Sequence, residues 1–155
     1  MTASLYLVRH AEAGDRERWD GPDELRPLTP EGMDHADTLV TRFAGIGLAR
    51  LVSSPLLRCI QTLEPLAADR DLPIEPAEDL AEGTPPERAL ALIAGLADAP
   101  AALCSHGDVI ESTILALLAA GTPHDGMVGF AKGSVWELHT ERGAVVRLRY
   151  LPPPG

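Results

Sequence analysis

Apolar positions along this chain change period several times. Leu5, Tyr6, Leu7 and Val8 form an unbroken apolar run, too short for a helix and without alternation, which predicts a strand buried on both faces of a parallel or mixed sheet. Short runs at 50–54 and 101–105 predict two more strands, and 72–76 a brief further one. Between them the period lengthens to that of a helix. Met33, Ala36, Leu39, Val40 and Phe43 recur at helical spacing behind Thr29, an N-cap, and Pro30 at the first helical position. Pro55 opens a second helix over 55–69, with Leu56, Ile60, Leu63 and Leu66 as its packing stripe. A third starts at Pro85 or Pro86 and runs to about Ala97 through Ala89, Leu92, Ile93 and Leu96. The fourth, over 108–120, carries Val109, Ile110, Ile114, Leu117 and Leu118 and stops at Gly121 and Pro123. Residues 133–140 and 144–151 alternate apolar and polar around Glu141-Arg142-Gly143, which predicts a hairpin. Strands alternating with helices place the chain in the α/β class.

Length and charge narrow this picture. A chain of 155 residues fits one domain, here 1–155 with its core over about 4–150, and can bury that core without disulfides or a structural metal. Thirteen Lys and Arg against 23 Asp and Glu give a formal charge of −10, which opposes binding to a nucleic-acid polymer or an anionic membrane. An anionic substrate then needs a locally basic pocket. Cys59 and Cys104, the only cysteines, lie in no CxxC or Cys/His pattern, so free buried thiols are expected, as in a reducing cytoplasm. No stretch approaches the roughly 18 apolar residues of a membrane span, and no basic and then apolar leader precedes Arg9; a soluble cytoplasmic protein is expected.

Candidate chemistry gathers at strand ends. Arg9 and His10 follow the first strand, where ligands bind in open α/β sheets, and suggest an anion site with a nucleophile or base. The plainer reading is a surface ion pair and a loop histidine. Ser105-His106-Gly107 repeats the device at the end of a later strand, and the helix that follows points its positive end toward the same edge. Arg58 falls in the first turn of the second helix, again near that edge, and shares a face with Thr62. The long polar loop 14–28 holds Arg16, Arg18, Trp19 and Arg26, which either reach over the site or are solvated. Glu78, Asp79 and Glu82 offer a general acid or are ordinary loop acids. Histidines 35, 124 and 139 form no metal-binding pattern, and neither a GxxxxGK[ST] nor a GxGxxG motif occurs.

Taken together, Arg9-His10, Ser53-Ser54-Pro55-Leu56-Leu57-Arg58 with Thr62, the acidic loop and Ser105-His106-Gly107 resemble the histidine phosphatase, or phosphoglycerate mutase-like, superfamily over residues 4–150. The resemblance implies a three-layer α/β/α domain with a mixed, mainly parallel sheet flanked by helices. It also implies a phosphatase that needs no metal or other cofactor: His10 as nucleophile, Arg9, Arg58 and His106 holding phosphoryl oxygens, and a loop acid as proton donor. Glu82 is the choice for that acid, with Asp79 and Glu78 behind it. His10 must attack as neutral imidazole, its other nitrogen fixed by a backbone carbonyl or similar acceptor. The opening Arg-His-Ala-Glu-Ala and the small size look like the SixA-type phosphohistidine phosphatases, whereas the Gly-Glu and nearby Asn usual in the mutases are missing, which argues against mutase activity. The stretch from Asp15 through Arg26-Pro27-Leu28 is also similar to histidine phosphatase domains found beside Nudix domains that act on nucleotides, which makes Arg26 an extra phosphate contact. A phosphohistidine protein or a phosphorylated small molecule is the expected partner; no oligomeric state is legible. The competing class is a noncatalytic phospho-ligand or protein-binding module that keeps the pocket.

Overall fold

The computed structural model describes residues 2–154. Its strands are β1 (Thr2–Arg9), β2 (Arg50–Ser53), β3 (Ile74–Pro76), β4 (Ala101–Ser105), β5 (His124–Asp125), β6 (Val135–Glu141) and β7 (Ala144–Leu151). Its helices are α1 (Pro30–Arg42), α2 (Leu57–Arg70), α3 (Pro86–Leu96) and α4 (Gly107–Ala119). One sheet, in the order β3-β2-β4-β1-β6-β7-β5, contains all seven strands. The β3-β2, β2-β4, β4-β1 and β5-β7 pairs are parallel, and β1-β6 and β6-β7 antiparallel.

The helices cover both faces. Leu5, Leu7 and Leu103 pack with Ile93 and Leu96 of α3 and Ile110 and Ile114 of α4. Tyr6, Val8, Ala102 and Cys104 point the other way, onto Leu39 and Phe43 at α1 and Cys59, Leu63 and Leu66 of α2. A strand packed on both sides needs apolar residues at every position, which is why β1 and β4 lack alternation. β6 and β7 differ: Trp136, Leu138, Leu148 and Tyr150 join the α3/α4 core, while Glu137, His139, Arg147 and Arg149 alternate with them. The expected three-layer, mixed and mainly parallel architecture is therefore the observed one.

Three local expectations shift. α2 begins at Leu57, because Pro55 and Leu56 stay extended or bent and Leu56 serves as N-cap. Its inward face is Arg58, Cys59, Thr62, Leu63 and Leu66, with Leu56 and Ile60 only half-buried. In α1, Met33 is 46% exposed and Gly32 is buried in its place. A Cβ at Gly32 would lie 2.0 Å from the Glu12 carbonyl oxygen, so the first turn of α1 sits on the backbone just beyond His10 and only glycine fits. The loop 14–28 is punctuated by single 3-10 turns at Arg16–Arg18 and Asp23–Leu25. Among the described residues no helix is long and apolar enough to cross a membrane.

Candidate active site

Strand register sets the stage. β4 lies between β1 and β2 and runs parallel to both; Arg9 pairs with Ser105, and Cys104 with Val8 and Ser53. The chain leaves the three strands at one level, where the His10 amide donates to the Ser105 carbonyl (3.1 Å) and the Ser54 amide to the Cys104 carbonyl (2.9 Å). His10, Ser54 and His106 thus share one sheet edge, joined there by the first turn of α2 with Arg58.

His10 is 7% exposed and its ring Nδ1 lies 2.8 Å from the Ala11 carbonyl oxygen. A carbonyl only accepts, so Nδ1 carries the proton and Nε2 keeps its lone pair. Burial above all, with the charges of His106, Arg58 and Arg9 added, pushes the imidazole pKa down to about 3 against the pull of that carbonyl. The Ala11 amide donates to Thr62 Oγ1 (3.0 Å), and that hydroxyl donates to the Arg58 carbonyl (2.7 Å), so the backbone beyond His10 is fastened to α2.

His106 lies 5.4 Å from His10 between ring centroids and caps α4. Its Nε2 meets Ser54 Oγ at 2.8 Å, with Cys59 Sγ at 3.6 Å behind. Nδ1 is buried without a hydrogen-bond partner, 3.5 Å from Glu82 Oε1. Both cysteines are buried and free, as expected.

Arg58 is completely buried, its charge met by the carboxylates of Asp23 and Glu82 while its Nε has no hydrogen-bond partner. Nη1 donates to the Asp23 carbonyl (2.9 Å); Nη2 donates to Asp23 Oδ2 (3.1 Å) and to Glu82 Oε1. Burial opposes ionisation of Asp23, but Arg26 and Arg58 hold its carboxyl below the usual range. Arg9 Nη1 donates to the Phe130 carbonyl (2.5 Å), and its Nε has no partner. Its guanidinium passes over Gly107, where a Cβ would stand 2.7 Å from Cζ. The glycine after His106 is a clearance for Arg9.

Arg9, His10, Arg16, Glu82, His106 and Lys132 are among the residues lining a cavity of about 1000 Å³. Arg26 borders it too, but the contacts seen are those of a brace: Nε donates to Asp23 (3.0 Å) and Nη1 to the carbonyls of Ala13 (2.7 Å) and Gly14 (3.2 Å). Those contacts hold the loop in shape while Arg26 stays at the border of the cavity. Glu82 does reach the site, as an ion-pair partner of Arg16 and Arg58. Asp79 instead pairs with Arg88 (2.7 Å), and neither it nor Glu78 borders the cavity. Sequence reading missed Asp23, Ser54 as the partner of His106, and the Lys132–Glu12 pair (3.1 Å) at the rim. The repeated serine in Ser53-Ser54 was the one available signal for the second of these. Among the described residues no group of three or more His, Cys, Asp or Glu side chains is placed to hold a metal ion.

Two histidines and two arginines are thus brought to one sheet edge, and the family model of the histidine phosphatase superfamily (branch 1) matches residues 5–84, about half the chain; the chain belongs to that superfamily. Over 99% of its length it is 33% identical to an 8-oxo-(d)GTP phosphatase of Mycolicibacterium smegmatis, covering 49% of that protein. A 66-residue match at 41% identity to an uncharacterised Picosynechococcus protein covers 41% of this chain and 39% of that one. The chain thus spans at most about half the length of the curated relatives it matches. Among solved structures, the protein histidine phosphatase SixA bound to tungstate superposes with a TM-score of 0.76 at 20% identity, over 95% of this chain and 93% of that one, a likeness of fold alone. A Nakamurella multipartita protein assigned as phosphohistidine phosphatase SixA superposes with a TM-score of 0.75 at 26% identity, over 100% and 98%.

Proposed function

We propose that this chain is a phosphatase that works through a phosphohistidine formed on His10. The observation that carries the reading is the hydrogen bond from His10 Nδ1 to the Ala11 carbonyl, which leaves Nε2 as a neutral, unprotonated nucleophile beside two guanidiniums. Nε2 attacks phosphorus, the bond to the leaving atom breaks, and that atom departs with a proton. Water then attacks the phosphohistidine, releasing phosphate and restoring the imidazole. Arg9 and Arg58 neutralise the equatorial oxygens, and His106 Nδ1, whose buried donor position has no protein partner, supplies a further hydrogen bond as charge builds. With that charge met by guanidinium and imidazole, the reaction needs no metal.

Glu82 is the proposed proton donor to the leaving atom. An ion-paired carboxylate accepts and does not donate, so it serves only after leaving Arg58. The substrate is a phosphorylated group small enough for a cavity of about 1000 Å³: a phosphorylated small molecule, nucleotides included, or a phosphohistidine side chain. The 33% identity to an 8-oxo-(d)GTP phosphatase supports the nucleotide, and the 26% identity to a protein assigned as SixA supports phosphohistidine. Two buried free thiols fit a reducing cytoplasm.

The test is hydrolysis of p-nitrophenyl phosphate in EDTA, with rapid acid-free quench to trap label on protein. Wild type should turn over and carry a base-stable, acid-labile phosphoenzyme that His10→Ala lacks. Orthophosphate binding without any turnover would make the chain a noncatalytic phospho-ligand module instead.

A further inference from the structure

Glu82 has company out of proportion to a loop acid. Arg16 Nη2 meets both its oxygens, at 2.9 and 2.8 Å; Arg58 Nη2 donates to Oε1; and His106 Nδ1 stands 3.5 Å from the same Oε1. Donors from the loop after β1, from α2 and from the cap of α4 therefore converge on one carboxylate. Two of the three, Arg58 and His106, are the groups assigned above to phosphoryl oxygens. Carboxylate and phosphoryl oxygens are interchangeable as acceptors for a guanidinium. Glu82 Oε1 thus stands where Arg58 and His106 would hold a phosphoryl oxygen, and Oε2 marks a neighbouring position reached by Arg16.

We propose that Arg16 is a third phosphoryl-binding arginine, and that Glu82 is a tethered competitor which substrate must displace to reach it. The claim rests on the phosphatase reading only for where the phosphoryl group sits. Arg16 suits the part because it is delivered by a loop rather than by the core. Its side chain is 59% exposed, its other acidic neighbour Asp23 lies at 3.5 Å, and it borders the same cavity as His10. Arg26 and Asp23 pin the loop from behind, which leaves Arg16 free to follow an anion into the site. Held by Glu82, it is charged and waiting; presented with a phosphoryl dianion, it trades one anion for a better one. The ligand class selected is a phosphoryl dianion, over the monoanion of a phosphodiester or of a sulfate ester, which would gain less from a third cation while still having to expel the carboxylate.

The measurement is the Kd of inorganic orthophosphate by titration calorimetry at pH 8 and fixed salt, for wild type, Arg16→Gln, Glu82→Gln and the double variant. Glu82→Gln should tighten binding at least fivefold. Arg16→Gln should cost less than threefold in the wild-type background, where it removes the latch and the ligand contact together, and tenfold or more once Glu82 is Gln. Unchanged binding in Glu82→Gln overturns the competitor role. An Arg16→Gln substitution silent in the Glu82→Gln background reduces Arg16 to a holder of Glu82 and overturns the proposal. Both side chains are partly exposed, and matching thermal melts control for folding. Because the readout is binding, its failure is separable from absent turnover of p-nitrophenyl phosphate by wild type, which would count against the phosphatase reading instead.

Discussion

β1 and β4 lie side by side, run in the same direction and each hand over to a histidine, yet the two rings are fastened through opposite nitrogens. His10 is tied at Nδ1 to a carbonyl, an acceptor with no proton of its own; His106 is tied at Nε2 to the Ser54 hydroxyl, which can give or take one. The first tie admits one neutral tautomer and exposes a lone pair at Nε2. The second leaves either neutral tautomer open, and when Ser54 donates the remaining proton sits on Nδ1. In the proposed mechanism that is the tautomer used, so one ring attacks and the other donates from nearly the same backbone device. The proposed division of labour is thus set by what touches the far side of each ring.

That contrast can be broken at several points. The largest effect is expected from His10→Ala, which removes the proposed nucleophile: turnover of p-nitrophenyl phosphate should fall by at least roughly a thousandfold and the trapped phosphoenzyme should vanish. His106→Ala deletes one donor and keeps the nucleophile, so kcat should drop about a hundredfold while a phosphoenzyme still forms slowly. If His106→Ala proved as damaging as His10→Ala, the division of labour between the rings would be wrong. Ser54→Ala should lower kcat about fivefold with little change in KM, in line with the roughly 1 kcal/mol of one hydrogen bond, and Ser54→Thr should restore part of it. Full activity in Ser54→Ala would show the hydroxyl to be idle.

The smallest effect is the most specific to His10. With its pKa near 3 in the folded chain and 6.5 for a histidine free in water, the unfolded state binds more protons between those values. Stability from this group is therefore present above about pH 6.5 and is lost as pH falls toward 3. Thermal melts should show wild type losing more stability over that window than His10→Gln. Ring NMR should find His10 neutral down to about pH 4, and protonation near pH 6 would remove the argument for a ready nucleophile.

Much of this is legible in the sequence because buried parallel strands announce themselves. The unbroken runs at β1 and β4, each ending in a histidine, locate the site edge by themselves, and Thr29-Pro30 marks the start of α1. Arg58 is legible as a candidate by its place in the first turn of α2, though its complete burial is not, since helical pattern treats a charged residue as outward-facing. Arg26 and Arg16 cannot be ranked from sequence: both are loop arginines, and only the folded loop shows one turned back on Ala13 and Gly14 and the other turned to Glu82. Met33 has the spacing of a core residue and yet faces solvent. The exception is made by Gly32, whose missing side chain lets the helix sit on Glu12. Two-residue β5 is too short to carry any period.

The strand order has a consequence in time as well as space. β4 is inserted between β1 and β2 although it comes after both in the chain, so the two histidines and Arg58 become neighbours only when residues beyond 100 have threaded into the middle of the sheet. Topologies rich in contacts of such long sequence separation fold slowly. A chain still lacking β4 and His106 cannot bring Arg9, His10, Arg58 and His106 together, so the site is a property of the closed sheet and of no shorter segment of it.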